Sequence, residues 1–222
     1  MLGGFTRITS VDIKASTRFL SKYWQPLDKR NDLLERQQPA PTRALDCGSV
    51  MITGTDRMII TRECIGIGRV TKHLLLKFFD TVDLLEQNDK FLTETKSYMG
   101  AEDYQRVGHQ FNAGLQDFHP APGVQYECIW CQWVTGHLTD EDFVQFLVRC
   151  KSALSPTDGL IVVKDNTTSS DECDADTTDS SVTRPHWLML DIFKRAGLEV
   201  VCERKQYKMP KGLYPVYMFA LK

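Results

Sequence analysis

The amino-acid sequence predicts an α/β fold with a doubly wound, mostly parallel, Rossmann-like sheet that ends in an antiparallel pair of strands. Short runs rich in β-forming residues alternate with segments of helical periodicity along most of the 222 residues. The run at 160–164 is almost continuously apolar, which is typical of a parallel strand buried on both faces. Two further β-rich runs, at 200–206 and 216–221, follow the last helical segment and predict the antiparallel pair.

Local signals mark each element of the amino-terminal half. Ser10 or Asp12 is expected to cap a helix that runs to about residue 23, and Gly3-Gly4 favours a turn before it. The polar, proline-containing stretch 31–42 is predicted to be a connection. Beyond it we expect strands at 43–47, 81–85 and 107–112, and helices at 66–79 and 89–99.

The segment 129–140 is the one around which the other elements can be arranged. It continues an alternating, β-rich strand that begins at Tyr126, and it ends where Thr139 can cap a helix with an acidic first turn. That helix is expected to run to about residue 154. Its inward face is predicted to carry Phe143, Phe146, Leu147 and Cys150.

The stretch 167–181 separates the buried strand 160–164 from the last predicted helix. It is acidic and rich in hydroxyl groups, so we expect a long loop at the rim of the sheet. The helix after it, at 187–196, is expected to stop at Gly197, a residue type favoured just past a helix end.

The length is typical of one domain, and we assign residues 1–222 to it, with an amino-terminal helix and connection over 1–42. Residues 50–65 fit this plan poorly, because two short apolar bursts flank a polar centre. They are interpreted either as a hairpin or as an insertion that is foreign to the fold.

The composition excludes several classes of function. A net charge of −2 argues against a protein that binds a phosphate backbone. No apolar run is long enough to span a bilayer, no signal peptide opens the chain, and the seven cysteines are irregularly spaced, so we expect a cytoplasmic protein that also occurs in the nucleus. We also expect a monomer. Strand alternation would place Cys128 and Cys131 on opposite faces of the sheet, which argues against a zinc or redox pair. Asp179 and Pro185 occupy the positions at which a calcium loop starting at Asp174 needs Gly and Glu. No metal is therefore expected.

Polar side chains follow four successive predicted strands. Asp46, Glu86, Gln116 and Gln132 each stand at a carboxyl end, where ligands bind in open α/β sheets. Glycines before a helix favour a nucleotide-like ligand, but Thr71 stands where a dinucleotide fingerprint needs its third glycine. We therefore expect an adenosyl group along this rim rather than a dehydrogenase cofactor. Alternatively, each polar residue only caps its own loop.

Two loops contain candidates for chemistry. His137 could accept a proton near neutral pH or could only bind a neighbouring loop. Asn166 could hold a substrate amine or could only fasten its own loop. The acidic stretch at 171–179 could attract a cationic substrate or could simply be solvated.

Seven stretches of the chain together resemble the alpha N-terminal protein methyltransferase family. Three are specific to that family: Ile129-Trp-Cys-Gln-Trp-Val-Thr-Gly-His-Leu-Thr-Asp, Lys164-Asp-Asn and Asp179-Ser-Ser-Val. The others are Ala44-Leu-Asp-Cys-Gly, Gly66-Ile-Gly-Arg-Val-Thr-Lys, Gly114-Leu-Gln-Asp-Phe and Tyr214-Pro-Val-Tyr-Met-Phe-Ala-Leu-Lys. The resemblance covers nearly the whole chain outside residues 50–65, which interrupt the glycine-rich cofactor loop.

This resemblance implies a class I S-adenosylmethionine-dependent fold, with seven strands of which the last is antiparallel. It implies methylation of the α-amine of proteins whose N-termini read Xaa-Pro-Lys or Xaa-Pro-Arg, with ribosomal proteins as usual substrates. The cofactor residues that it implies are Gly48, Arg69, Glu86, Gln87, Asn88, Leu115, Gln116 and Gln132. The family more often has Asp at the position of Glu86.

The same resemblance implies a set of residues that bind the substrate. They are Leu2, Ile8, Trp133, His137, Asn166, Asp176, Asp179, Ser181, Leu213 and Tyr214. Of these, Asp179 and His137 are the candidates for accepting a proton from the α-amine, and Asn166 is the candidate for holding its nitrogen. Trp133 would contact the N-terminal residues of the peptide, and Asp176 would pair with the basic third residue.

Two alternatives to an active peptide methyltransferase remain open at this point. The family carries a helical extension before the Leu-Gly-Gly turn with which this chain opens, and its cofactor loop lacks the segment 50–65. A weak or inactive protein that still binds peptides would therefore also fit the sequence. A methyltransferase that acts on small molecules is the other alternative.

Overall fold

A computed structural model describes residues 3–33, 40–48, 67–210 and 212–222, with the side chains of 3–8 and 31–33 outside the description. The strands are β1 (Arg43–Cys47), β2 (Thr81–Leu85), β3 (Val107–Phe111), β4 (Cys128–Gln132), β5 (Leu160–Thr168), β6 (Asp174–Asp176), β7 (Ser181–Pro185), β8 (Val200–Lys205) and β9 (Val216–Leu221). The helices are α1 (Gly3–Leu20), α2 (Leu27–Leu33), α3 (Arg69–His73), α4 (Asp89–Met99), α5 (Ala101–Tyr104), α6 (Asp140–Ser152) and α7 (His186–Arg195).

Seven of the strands form the main sheet, in the order β3-β2-β1-β4-β5-β9-β8. The first five are parallel, β9 pairs antiparallel with β5, and β8 pairs antiparallel with β9. Only β9 is therefore reversed within this group of described strands. The predicted doubly wound, mostly parallel sheet with an antiparallel last strand is confirmed.

The central strand β4 is buried along its whole length and divides the core into two layers. Ile129 and Cys131 pack in one apolar cluster, whereas Cys128 and Trp130 pack in the other. This confirms that alternation splits the two cysteines between opposite faces of the sheet. Among the described residues, no group of His, Cys, Asp or Glu is arranged to hold a metal ion. No helix in the described ranges is both long and apolar enough to cross a membrane.

The helix after β4 matches its sequence signals closely. The Thr139 side chain caps α6 by accepting the backbone N–H of Asp142 at 3.1 Å. The predicted inward residues, Phe143, Phe146, Leu147 and Cys150, are all fully buried. At the end of α7, Gly197 has a φ of +70°, a left-handed conformation that favours glycine, and it ends the helix where predicted.

The predicted start of the first helix is wrong. Helix α1 begins at Gly3, so Gly3-Gly4 lies inside the helix instead of forming a turn before it. Asp12 does not cap this helix but lies fully buried within it. Each glycine costs about 1 kcal/mol relative to alanine in a helix, and burial of residues such as Phe19 and Leu20 offsets this cost.

Two other predicted elements have different bounds. Helix α2 occupies the start of the predicted connection 31–42, and the predicted helix 66–79 is a short α3 followed by a 3₁₀ turn at Leu75–Lys77. Arg106 stabilises that turn by donating to the carbonyl oxygens of Leu76 and Phe79, a contact that local periodicity cannot reveal. The interpretations of residues 50–65 concern a segment outside the described residues.

The predicted long loop at 167–181 is also wrong. Strand β5 continues to Thr168, and a hairpin of β6 and β7 follows it. Strand β7 pairs in parallel with the carboxyl end of β5, where Thr167 lies opposite Arg184. Because this pairing joins residues distant in the chain, an acidic, hydroxyl-rich stretch of low β-propensity nevertheless adopts an extended conformation.

Candidate active site

Two adjoining cavities lie at the carboxyl ends of the parallel strands. The strand-end cavity has a volume of about 320 Å³ and is lined by residues that follow β1, β2, β3 and β4. The acidic cavity has a volume of about 340 Å³ and lies between the loop after β4, the end of β5 and the β6–β7 hairpin. His137 lines both cavities, so any chemistry between their contents would occur beside it.

The strand-end cavity collects five of the residues that the resemblance assigns to the cofactor. They are Gly48, Glu86, Gln87, Leu115 and Gln116. The other three do not line it: Asn88 caps α4, while Arg69 and Gln132 belong to a buried polar cluster behind Trp133. The prediction that polar residues at four successive strand ends would meet at one rim is confirmed for Glu86 and Gln116, whereas Asp46 and Gln132 do not line this cavity.

Gly48 lies close to the end of the neighbouring strand β2. Its N–H donates to the carbonyl oxygen of Leu85 at 2.6 Å, and its φ is +31°. A Cβ atom on Gly48 would stand 2.8 Å from that same carbonyl oxygen. Glycine is required here both by the dihedral angle and by the space.

The acid at the end of β2 is fixed in position. The Glu86 side chain is only 4% exposed, and its Oε1 accepts the backbone N–H of Asn88 at 2.8 Å. Asn112 donates to the carbonyl oxygens of Glu86 and Gln87, which holds the turn in place. A preformed turn therefore presents a carboxylate to the strand-end cavity.

The acidic cavity collects seven of the predicted substrate residues. They are Trp133, His137, Asn166, Asp176, Asp179, Ser181 and Tyr214. Leu213 does not line it, Ile8 lies in α1 with its side chain undescribed, and Leu2 is outside the described residues. His137, Asn166 and Asp179 thus share one cavity, although they come from three different parts of the chain.

Charge in this cavity has one sign. Asp165, Asp174, Asp176 and Asp179 line it, and none of its described lining residues is Lys or Arg. Asp179 accepts the backbone N–H of Ser181 through Oδ1 at 3.0 Å, while its buried Oδ2 has no hydrogen-bond partner among the described residues. Such an arrangement favours a cationic ligand that brings N–H donors.

Trp133 forms the wall between the acidic cavity and the buried cluster. Its φ is +53°, which costs about 1–3 kcal/mol for a residue other than glycine. Its backbone N–H donates to the carbonyl oxygen of Lys164 at 2.9 Å, and the centre of its ring lies 5.9 Å from the Arg69 guanidinium and 5.8 Å from the Lys164 amine. These contacts hold the indole in place despite the strained backbone.

The turn that carries His137 is fastened from both sides. Arg184 of β7 donates to the carbonyl oxygens of Thr135 at 3.0 Å and Leu138 at 2.5 Å. Asp165 accepts the N–H and the hydroxyl of Thr135, and burial raises the pKa of this carboxyl group although these hydrogen bonds oppose the shift. The position of His137 is therefore determined by residues on β5 and β7.

Sequence reasoning missed the supporting residues of the site. No local pattern points to Arg184, Asp12 has the character of a helix cap, and Lys164 belongs to a motif that the family resemblance carries. A lysine within an apolar strand was the one available signal, because a buried amine needs an acidic partner. That partner, Asp12, is separated from it by 152 positions.

Comparison with known proteins shows the family to which this chain belongs. The model of the family described as AdoMet dependent proline di-methyltransferase matches residues 1–222. The chain is 41% identical over 222 residues to N-terminal Xaa-Pro-Lys N-methyltransferase 1-B of Xenopus laevis, covering all of this chain and 87% of the relative. It is 40% identical over 225 residues to N-terminal Xaa-Pro-Lys N-methyltransferase 1 of Homo sapiens, with the same coverage.

Solved structures agree with this assignment. A SAM-dependent methyltransferase of Leishmania major has a TM-score of 0.77 and 34% identity, over all of this chain and 75% of that one. The N-methyltransferase NodS of Bradyrhizobium japonicum has a TM-score of 0.64 at 10% identity, over 100% of this chain and 98% of that one, and is similar in fold alone.

Proposed function

Because the chain belongs to the family of AdoMet-dependent proline dimethyltransferases, we propose that it methylates the α-amine of protein N-termini that read Xaa-Pro-Lys or Xaa-Pro-Arg. The curated relatives are named for action on N-terminal Xaa-Pro-Lys. The observation that carries the proposal is the acidic cavity beside the strand-end cavity. It brings together a histidine, an asparagine and a carboxylate oxygen that has no hydrogen-bond partner within the described ranges. Ribosomal proteins with such N-termini are proposed substrates.

The strand-end cavity fits the adenosyl part of S-adenosylmethionine, the cofactor of this family. Its volume lies at the small end of the range for small-molecule sites, about 300–1,000 Å³. Glu86 would accept hydrogen bonds from ribose hydroxyls, Gly48 would allow close approach, and Leu115 with Gln116 would flank the base. Arg69 is suited to the carboxylate of the cofactor. When bound, the cofactor supplies an electrophilic methyl group.

An α-amine must be uncharged to act as a nucleophile. Its pKa is near 8 in free peptides, so most of it is protonated at neutral pH. Oδ2 of Asp179, which has no hydrogen-bond partner in the part of the chain that the structure describes, supports a role in accepting the proton. His137 borders both cavities and is the second candidate. Asn166 would accept a hydrogen bond from the nitrogen and so direct its lone pair toward the strand-end cavity.

The rest of the peptide would be recognised by shape and charge. The fixed φ of a second-position proline makes a rigid apolar surface that suits the Trp133 wall. A third-position Lys or Arg would be attracted to Asp176, and Ser181 and Tyr214 would line the same path. Leu213 is proposed to contact the peptide from outside the cavity. Leu2 and Ile8 keep their predicted role as substrate residues.

Mass spectrometry of a Ser-Pro-Lys peptide incubated with the full chain and cofactor tests this function. We expect mass increases of whole methyl groups, and none on the same peptide with an acetylated N-terminus. A Ser-Pro-Glu peptide is the control for the basic third residue and should react much more slowly. Methylation of the acetylated peptide, or cofactor binding without methylation of Ser-Pro-Lys, would contradict the proposal.

A further inference from the structure

A buried polar cluster connects helix α1 to the residues that surround both cavities. The Asp12 cluster consists of Asp12, Ser16, Arg69, Gln132 and Lys164. Asp12, Ser16 and Lys164 have no exposed side-chain surface, and Arg69 and Gln132 are each 5% exposed. Removing so many polar groups from water is costly unless each is paired, so the geometry of the cluster is strongly determined.

Asp12 is the shared acceptor of this cluster. Its Oδ2 accepts from Arg69 Nη1 at 2.7 Å, and Gln132 Nε2 lies 3.1 Å from both carboxylate oxygens. Lys164 Nζ pairs with Oδ1 and also donates to Ser16 Oγ at 2.8 Å. One carboxylate thus orients a guanidinium, an amide and an amine at the same time.

Each partner of Asp12 belongs to a different part of the candidate site. Arg69 opens α3, beyond the cofactor loop, and Gln132 is the last residue of β4. Lys164 lies in β5 two residues before Asn166. Together with Arg69 it flanks the Trp133 ring. A substitution at Asp12 would therefore act directly on Arg69 and Gln132, and it would act on Trp133 only through Arg69 and Lys164.

The carboxylate of Asp12 balances two buried cations. Burial by itself would raise its pKa, but Lys164 and Arg69 together lower the pKa of this carboxyl group below its ordinary value. Replacing it by a neutral amide would leave two cations facing each other without an anion, and each would turn toward other acceptors. The orientation of the Arg69 guanidinium would be lost together with the charge balance.

We propose that Asp12 is a positioning residue for the cofactor site, because its carboxylate sets the orientation of the Arg69 guanidinium and the Gln132 amide. The inference rests on the proposed function only in assigning those two groups to S-adenosylmethionine. Helix α1 is then part of the cofactor site as well as part of the fold. Asp12 does not touch the reacting atoms.

Calorimetric titration of S-adenosylmethionine into the full-length Asp12→Asn variant tests this role. Since asparagine keeps the shape but not the charge, we expect the Kd to rise tenfold or more. The matched control is Asp83→Asn. Asp83 is also fully buried, pairs with Arg43 and His109, and accepts the Tyr126 hydroxyl. This control should lose stability while its Kd stays within about twofold of the wild type.

A double variant separates positioning from folding. Asp12→Asn with Lys164→Met removes one uncompensated cation, so its thermal midpoint should recover toward the wild type. If Asp12 positions Arg69, the Kd of the double variant stays high in spite of this recovery. Recovery of affinity together with stability, or wild-type affinity in Asp12→Asn, would overturn the inference.

The same titrations keep the two proposals apart. If the wild-type chain binds the cofactor but leaves the Ser-Pro-Lys peptide unmodified, the proposed function is wrong and the role of Asp12 is still decided by the Kd values. A wild-type chain that fails to bind S-adenosylmethionine would overturn the inference about Asp12 directly.

Discussion

Asp179 accepts the backbone N–H of Ser181 through Oδ1 at 3.0 Å. This hydrogen bond orients the carboxylate, whose Oδ2 is buried and has no hydrogen-bond partner among the described residues. The hairpin of β6 and β7 carries this acid to the cavity that Trp133, His137 and Asn166 also line. A buried carboxylate oxygen without a donor is costly, so a ligand that supplies an N–H would be bound favourably.

The first prediction concerns Asp179. The Asp179→Asn variant should lose roughly 10²–10⁴-fold in kcat, the usual contribution of a general base, because an amide cannot accept the proton. Its affinity for S-adenosylmethionine should not change, since Asp179 does not line the strand-end cavity. Steady-state kinetics and calorimetry measure the two quantities. The control is Glu172→Gln, because Glu172 is an exposed acid on the same segment. If Asp179→Asn loses cofactor affinity as strongly as turnover, Asp179 is not a catalytic residue.

His137 is predicted to act at the junction of the two cavities. We expect His137→Ala to lower turnover far more than it lowers cofactor affinity, because His137 lines both cavities but is one of many residues that line the strand-end cavity. The exposed His119 provides the control variant His119→Ala, which should behave as the wild type. The histidine has no catalytic part if the two measured quantities fall together in His137→Ala.

Asp176 is predicted to select the third residue of the peptide. Asp176→Asn should raise KM for an Xaa-Pro-Lys peptide about fivefold, and added salt should reduce this difference because the pair is partly exposed. The KM for Xaa-Pro-Gln should be unaffected. Comparison of both peptides at two salt concentrations gives the result, and a similar change for both peptides would show that Asp176 does not read this charge.

Gly48 is predicted to tolerate no side chain. Gly48→Ala should destabilise the fold by about 1–3 kcal/mol and weaken cofactor binding, because its Cβ would meet the Leu85 carbonyl oxygen and its φ is positive. Gly123→Ala is the control, since Gly123 has a φ of +77° but no atom within 4 Å of its Cβ position. Urea unfolding and calorimetry should show a larger effect at Gly48; equal effects would mean that only the dihedral angle matters.

Asp46 is predicted to make stability depend on pH. Burial raises the pKa of Asp46 to about 6, although hydrogen bonds from Thr71 and the charge of Arg69 oppose this shift. The folded protein therefore binds more protons than the unfolded chain between pH 4 and 6, and stability falls as pH rises through that window, by up to about 3 kcal/mol.

The Asp46→Asn variant isolates this effect. Asparagine can still accept from the Thr71 N–H and hydroxyl but does not titrate, so the variant should lose less stability than the wild type between pH 4 and pH 7. Urea unfolding at both pH values measures the difference. Parallel pH dependence of the two proteins would show that Asp46 keeps an ordinary pKa.

The sequence by itself determined the architecture and the motifs of the site. Alternation in β4, the Thr139 cap and the stop at Gly197 are local signals, because they depend on a few neighbouring residues and the backbone angles those residues favour. Polar residues at parallel strand ends also had to meet at one edge, since parallel strands point the same way. These signals sufficed to bring Glu86 and Gln116 to the strand-end cavity, whereas Gln132 donates to Asp12 and Asp46 accepts hydrogen bonds from Thr71.

Only the tertiary structure decided which distant residues hold that site in shape. The pairing of β7 with β5 replaces the expected loop by a hairpin of β6 and β7, and this hairpin carries Asp179. Arg184 of β7 donates to two carbonyl oxygens of the turn that contains His137 and so holds that turn in place. The burial of Asp12 against Lys164 joined residues 152 positions apart. A buried charge requires a partner but sets no distance along the chain at which that partner must stand, so these contacts follow from the three-dimensional packing alone.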